Sequence, residues 1–240
     1  MSTVAGDLVD GDAVTIAARF ANVMERVERA ARRAHRSPSE ISVVAVSKTF
    51  PADAVHEAAR AGVRDFGENR AQELTSKVAA VTDNVRWHFV GPLQRNKVRQ
   101  VVGAVDLIHS VDGVELGRAI ARRALSLGIT QRVLVEVNVS GEAQKHGVEP
   151  EGAQVLAQEL ATVEGLDVVG LMTIPALPRD PEDSRPHYRA LRRLRDAVAA
   201  RVGHVEELSM GMTRDFEVAV EEGASIIRVG EAIFGSRAAT

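Results

Sequence analysis

Residues 41–50 read ISVVAVSKTF. Ile41, Val43, Val44, Ala45 and Val46 leave almost no polar position, and the run is too short and too rich in β-branched residues for a helix. It reads as a strand buried on both faces, the kind found in parallel sheets. Moving outward, similar runs recur as RDFGE (64–68), VRWHFV (85–90), DLIHSV (106–111), RVLVEVNV (132–139), DVVGLMTI (167–174), VEELSM (205–210) and SIIRVG (225–230). Helix-like segments separate them, with start signals such as Pro51, Pro150, and Asp112 ahead of Glu115 in capping-box spacing. Eight strand–helix units predict an α/β fold, a single (β/α)8 TIM barrel over about 41–237, ahead of an open doubly wound sheet. A stripe of Ile16, Phe20, Val23, Val27, Ala30 and Ala34 predicts an extra N-terminal helix over about 12–35. No Pro-, Gly- or Ser-rich linker divides the chain, so residues 1–240 read as one domain, with PALPRDPEDSRP (175–186) a long βα loop.

Composition excludes several classes. The 240 residues are 45% hydrophobic and 26% charged, as in an ordinary soluble globule. There is no cysteine, which removes disulfides, thiolate nucleophiles and Cys-ligated zinc. His88 and His109 lack partners at metal-ligand spacing and read as hydrogen-bonded core residues, so no metal is expected. A net charge of −3 and 3% aromatics argue against nucleic acid. No run is long enough for a bilayer span, and the first residues lack a basic segment followed by an apolar core, so a cytoplasmic location is expected. The arginines of RALRRLRDAVAAR (189–201) alternate with Leu191, Leu194 and Val198 and read as a solvated helix face.

In such barrels the active site forms at the C-terminal ends of the strands. Those ends deliver Lys48; Glu68 and Asn69; His88 and Gly91; His109 and Ser110; Asn138 and Ser140; Met172 and Thr173; Ser209, Gly211 and Thr213; Arg228 and Gly230. Lys48 stands out because the chain has four lysines against twenty-six arginines. An amine at the end of a buried strand either becomes a nucleophile toward carbonyls or pairs with a nearby carboxylate. Lys77, in a polar helix, Lys97 and Lys145 fit the second role better. The turns LSMGMT and RVGEA resemble a barrel phosphate site, with hydroxyls at Ser209 and Thr213 around the Gly211 turn and close backbone approach at Gly230. A carbonyl compound bearing a phosphate is then the expected ligand, either a phosphosugar or pyridoxal 5′-phosphate, and spacing alone does not separate the two.

The blocks AVSKT, FGENRAQEL, WHFVGPLQRNK, VEVNVSGEAQKHG, GLMTIP, ELSMGMTRDFEVAVEEGA and IRVGEAIFGSR resemble the pyridoxal phosphate homeostasis proteins, relatives of the alanine racemase N-terminal barrel. The resemblance spans about residues 41–237. It implies pyridoxal 5′-phosphate as cofactor, a Schiff base at Lys48, and phosphate contacts from Ser209, Gly211, Thr213 and Gly230. It also implies that Arg228 faces the pyridine nitrogen, with Asn69 lining the pocket and Met172 packing there. Glu231 departs from the family, where a small hydroxyl residue is common, and is expected to turn outward and leave its backbone N–H in the site. Arg228 pairing with Glu231 or another acid is the alternative.

A racemase needs a second acid/base opposite Lys48. The related racemases are similar in barrel but use a tyrosine from an additional C-terminal domain; here Tyr188, the only tyrosine, belongs to the helix before strand seven. The resemblance therefore implies a carrier that binds the cofactor reversibly, serves client enzymes and is expected to be a monomer. A racemase-like enzyme using His88 or water is the alternative, and a phosphosugar lyase the third reading.

Overall fold

The computed structural model describes residues 14–142 and 144–236. Eight strands close a parallel barrel in sequence order: β1 (Ser42–Val46), β2 (Asp65–Glu68), β3 (Arg86–Phe89), β4 (Leu107–Val111), β5 (Gln131–Glu136), β6 (Leu166–Met172), β7 (Glu207–Ser209) and β8 (Ile226–Val229). Each lies within a few residues of its apolar run, because a strand covered on both sides is apolar at nearly every position. Around them stand α2 (Ala52–Arg60), α3 (Ala71–Ala80), α4 (Val98–Val101), α5 (Val114–Ser126), α6 (Pro150–Ala161), α7 (Arg185–Val202), α8 (Phe216–Glu221) and α9 (Glu231–Phe234). No helix among the described residues is long and apolar enough to cross a membrane.

The extra N-terminal helix α1 spans Ile16–Arg33, capped by the Thr15 side chain, which accepts from the Ala18 amide. Residues 12 and 13 of the expected helix lie outside the described residues, as does 237 at the barrel's expected end. The helix stops at Arg33 because His35 turns into the left-handed region, φ 55°. Val23, Val27 and Ala30 are fully buried, and Arg26 forks onto the Glu217 carboxylate at 3.1 and 2.9 Å while covering the Phe216 ring. Asp112 does not cap α5: that position falls to Gly113 in extended backbone, without a side-chain bond. On α7, Arg185, Arg189 and Arg192 are not simply solvated but converge on Glu222, whose carboxylate is 5% exposed.

Side chains alternate across each strand, so the pairing register sorts them into two sets. One set packs outward against the helices. The inward set includes Val44, Leu107, Leu134, Met172 and Ile226, which form a separate apolar cluster inside the barrel. The same parity places Asp65, His88, Ser209 and Arg228 inside, since Val44 pairs with both Asp65 and Arg228, His88 with Leu107, and Met172 with Ser209. The barrel interior is thus partly polar.

Candidate functional site at the barrel mouth

A cavity of about 360 Å³ opens at the C-terminal mouth, within the size range of cofactor sites. Lys48, Asn69, Thr213, Arg228, Gly230 and Glu231 all line it, so six of the nine residues predicted from sequence meet in one place. Ser209, Gly211 and Met172 do not line it. A smaller cavity behind Lys48 shares Val46, Lys48, Gly230 and Glu231 but lacks Arg228.

Lys48 stands just beyond β1 and is half-buried rather than desolvated. Its loop is held in an uncommon shape. Thr49, a β-branched residue, sits at φ 69°, and its amide donates to Glu73 at 2.9 Å. Such a conformation persists only where surrounding contacts over-determine it. Behind the loop, Lys77 pairs with a carboxylate as expected, but in the interior, 6% exposed: its Nζ donates to the Ser47 carbonyl at 2.7 Å and to Glu68 Oε1 at 2.5 Å. Ser47 Oγ donates to the same carboxylate oxygen at 2.6 Å. Burial pushes Glu68 above the usual carboxylate range, although Lys77 and Ser47 pull the other way.

Arg228 is 4% exposed and does not pair with Glu231. Its Nη1 donates to Ser209 Oγ at 2.6 Å and its Nη2 to the Thr173 carbonyl at 2.8 Å. Ser209 therefore points into the barrel and supports the arginine, because β7 turns this position inward at the level of Met172. Met172 is fully buried in the apolar cluster below the mouth. Gly211 shapes the turn: at φ +93° a Cβ would lie 2.5 Å from Ala219 Cβ and 3.0 Å from the Phe216 backbone. Gly91 has a similar steric reason, since a Cβ there would meet the Asn69 backbone oxygen at 2.4 Å. Asn69 itself presents a buried Oδ1 that has no partner among the described residues. Thr213 Oγ1 accepts weakly from the Ala232 amide at 3.5 Å, and Glu231 is exposed at the rim.

Tyr188 is fully buried, outside the cavity, and its phenol donates to Asp215 Oδ2 at 2.7 Å. Burial and the Asp215 carboxylate push its pKa far above the usual phenol range. His88 and His109 are also buried and bonded to each other, as expected of core histidines. Asp65, His88, Ser209 and Arg228 share one signal in the sequence: each stands at the inward parity of its strand, in register with an apolar residue of a neighbouring strand.

Glu136, at the end of β5, was not singled out from sequence. Burial pushes its carboxyl from 4.5 up to about 7, with Asp112 adding to the rise and Arg228 opposing it. The folded chain therefore holds a proton that the unfolded chain releases near 4.5. The associated stability is complete below that value and is lost as pH rises through about 7. Glu136→Gln should accordingly stabilise the protein by up to ~3 kcal/mol near pH ~8 and change little near pH ~4. Urea unfolding at both pH values checks this, and a substitution effect independent of pH would contradict it.

The family described as alanine racemase, N-terminal domain, matches residues 19–238. The pyridoxal phosphate homeostasis protein of Aquifex aeolicus is 44% identical over 221 residues, covering 91% of this chain and 97% of its own length. That of Pseudomonas aeruginosa is 40% identical over 224 residues, covering 93% and 96%. The solved structure of PipY from Synechococcus elongatus with PLP bound superposes with a TM-score of 0.82 at 34% identity, over 92% of this chain and all of that one. With these matches over most of the chain, it belongs to the pyridoxal phosphate homeostasis proteins within the alanine racemase N-terminal domain family.

Proposed function

We propose that this protein binds pyridoxal 5′-phosphate covalently and reversibly through a Schiff base at Lys48 and acts as a cytoplasmic carrier of the cofactor for client enzymes. The observation that carries this reading is the meeting of Lys48 and Arg228 in one cavity of about 360 Å³. The residues there suit the cofactor's three functional ends. The amine suits its aldehyde, and the guanidinium suits its pyridine nitrogen as a donor only. Thr213 and the backbone of Gly230 and Glu231, on the loops after β7 and β8, suit its phosphate. Ser209 acts in this reading through Arg228 rather than on the phosphate, and Met172 as support from below.

When bound, the cofactor supplies a reactive aldehyde. Arg228 restricts the chemistry open to it. Burial pulls the guanidinium below its ordinary range, against Tyr188, Glu136 and Asp215. It nevertheless remains a permanent donor at working pH, so it leaves the pyridine nitrogen unprotonated and the ring a weak electron sink. Neither Tyr188 nor His88 reaches the cavity to serve as a second acid/base, which favours the carrier over a racemase.

Borohydride reduction of the cofactor-loaded protein should fix one cofactor onto the peptide carrying Lys48, and Lys48→Ala should abolish that adduct. A reduced adduct at another residue would overturn the assignment. Loaded protein should also activate a cofactor-free enzyme while exchanging no α-proton of any amino acid offered; rapid α-deuterium exchange would favour the racemase.

A further inference from the structure

Five side chains from five strands make one continuous hydrogen-bonded chain through the barrel. Arg228 Nη1 on β8 donates to Ser209 Oγ on β7 at 2.6 Å. Ser209 Oγ lies 2.8 Å from His109 Nδ1 on β4, and His109 Nε2 lies 2.9 Å from His88 Nδ1 on β3. His88 Nε2 lies 3.1 Å from Asp65 Oδ1 on β2. All five are at most 6% exposed. At the foot of the barrel, Arg86 grips both oxygens of Asp65 at 2.6 Å each.

With both imidazole rings neutral, the two ends fix the direction of every bond between them. A guanidinium only donates and an ionised carboxylate only accepts. Burial raises the Asp65 pKa, but its bonds to His88 and Arg86 outweigh that and hold it below the usual range, so it is ionised. His88 must then carry its proton on Nε2, leaving Nδ1 bare. His109 must donate from Nε2 to that bare nitrogen, leaving its own Nδ1 bare. Ser209 must donate its hydroxyl proton to His109, which turns its lone pairs toward Arg228. One arrangement of protons with neutral rings satisfies all four contacts.

We propose that His109 and His88, anchored on Asp65, are positioning residues that orient Ser209 as a pure acceptor for Arg228 and so fix the guanidinium face turned to the cofactor. This rests on the reading of Arg228 as the group facing the pyridine nitrogen. A proton on His109 Nδ1 would compete with Arg228 for the Ser209 oxygen. Burial, together with His88 and Arg228, holds His109 well below its ordinary 6.5 and so keeps it neutral. The other charged groups acting on Arg228 are Glu136 and Asp215, together with the phenol of Tyr188.

The test begins with long-range proton–nitrogen NMR on the unmodified, ¹⁵N-labelled protein without cofactor. Both rings should carry their proton on Nε2 near neutral pH; a proton on His109 Nδ1 would overturn the proposal whether or not the cofactor binds. The protein is then loaded with cofactor labelled at the pyridine nitrogen. His109→Leu should move that nitrogen's signal toward the protonated range and weaken binding about tenfold. His109→Gln, which can accept from Ser209 and donate to His88, should restore both. An unchanged signal in His109→Leu would refute the positioning role. An unchanged signal in Arg228→Gln would instead refute the functional reading, with the ring tautomers still deciding whether the chain runs as described.

Discussion

Replacing Lys77 with methionine should destabilise the protein by about 3–5 kcal/mol at neutral pH, because it strands the Glu68 carboxylate in the interior. Glu68 is fully buried, and Lys77 Nζ is the only cation bonded to it among the described residues. Ser47 Oγ would remain as a neutral donor to Oε1, while Oε2 already lacks a partner among the described residues. The penalty belongs to the uncompensated charge, not to the worth of the pair, so Lys77→Met combined with Glu68→Gln should recover most of it. The pH response gives a second check. Burial already raises the Glu68 pKa, and without Lys77 it rises further. A raised acid pKa means stability that returns as pH falls, so the single variant should approach the wild type under mildly acidic conditions. Urea titrations of the two variants across pH decide the matter: a single variant within ~1 kcal/mol of wild type, or a double variant worse than the single, would show that the pair does not carry this charge balance. The same lysine also holds the Ser47 carbonyl, next to Lys48, so cofactor affinity should fall with the single variant.

This pair also marks where the sequence stops being readable. The eight strands were legible because burial on both faces removes polar residues from the whole run, and Lys48 because an amine closes one such run. A (β/α)8 closure then brought Lys48, Asn69, Thr213, Arg228, Gly230 and Glu231 to one mouth without further information. The carboxylate-pairing role of Lys77 was legible but its burial was not, since that depends on a partner nine residues earlier on a different element. Its helix, AQELTSKVAA, is polar enough to pass as solvated. Ser209 was misdirected for another reason. A hydroxyl beside a glycine turn resembles a phosphate ligand, but strand parity puts it at the level of Met172, facing the barrel axis. Applying the period of two to VEELSM and SIIRVG together would have paired Ser209 with Arg228. The Asp112 signal failed because Gly113, in extended backbone, takes the cap position.

Asp215 should give the other large effect. It is 1% exposed, has no cation in direct contact among the described residues, and is held by three donors. Ser184 Oγ and Tyr188 Oη donate to Oδ2 at 2.7 Å each, and the Met212 amide donates to Oδ1 at 2.8 Å. Asp215→Ala removes the acceptor from all three at once. Each unsatisfied donor costs ~1–3 kcal/mol, and because the three share one carboxylate their losses combine incompletely, to about 3–5 kcal/mol. Asp215→Asn keeps an oxygen for the Met212 amide and an amide that the two hydroxyls can accept from, so it should lose about half as much. The effect reaches the site through the chain. Asp215 fastens the turn that carries Met212, Thr213 and Arg214 along the cavity wall to Tyr188 on α7. Loosening that turn should weaken cofactor binding in Asp215→Ala more than in Asp215→Asn, while Tyr188→Phe, which removes one donor and leaves the carboxylate in place, should cost only ~1 kcal/mol and bind nearly as wild type. Denaturant unfolding and cofactor titration on the three variants give the ordering. If Tyr188→Phe lost binding as severely as Asp215→Ala, the phenol would have a role at the cofactor beyond its bond to Asp215, and the case for a carrier over a racemase would lose one of its supports.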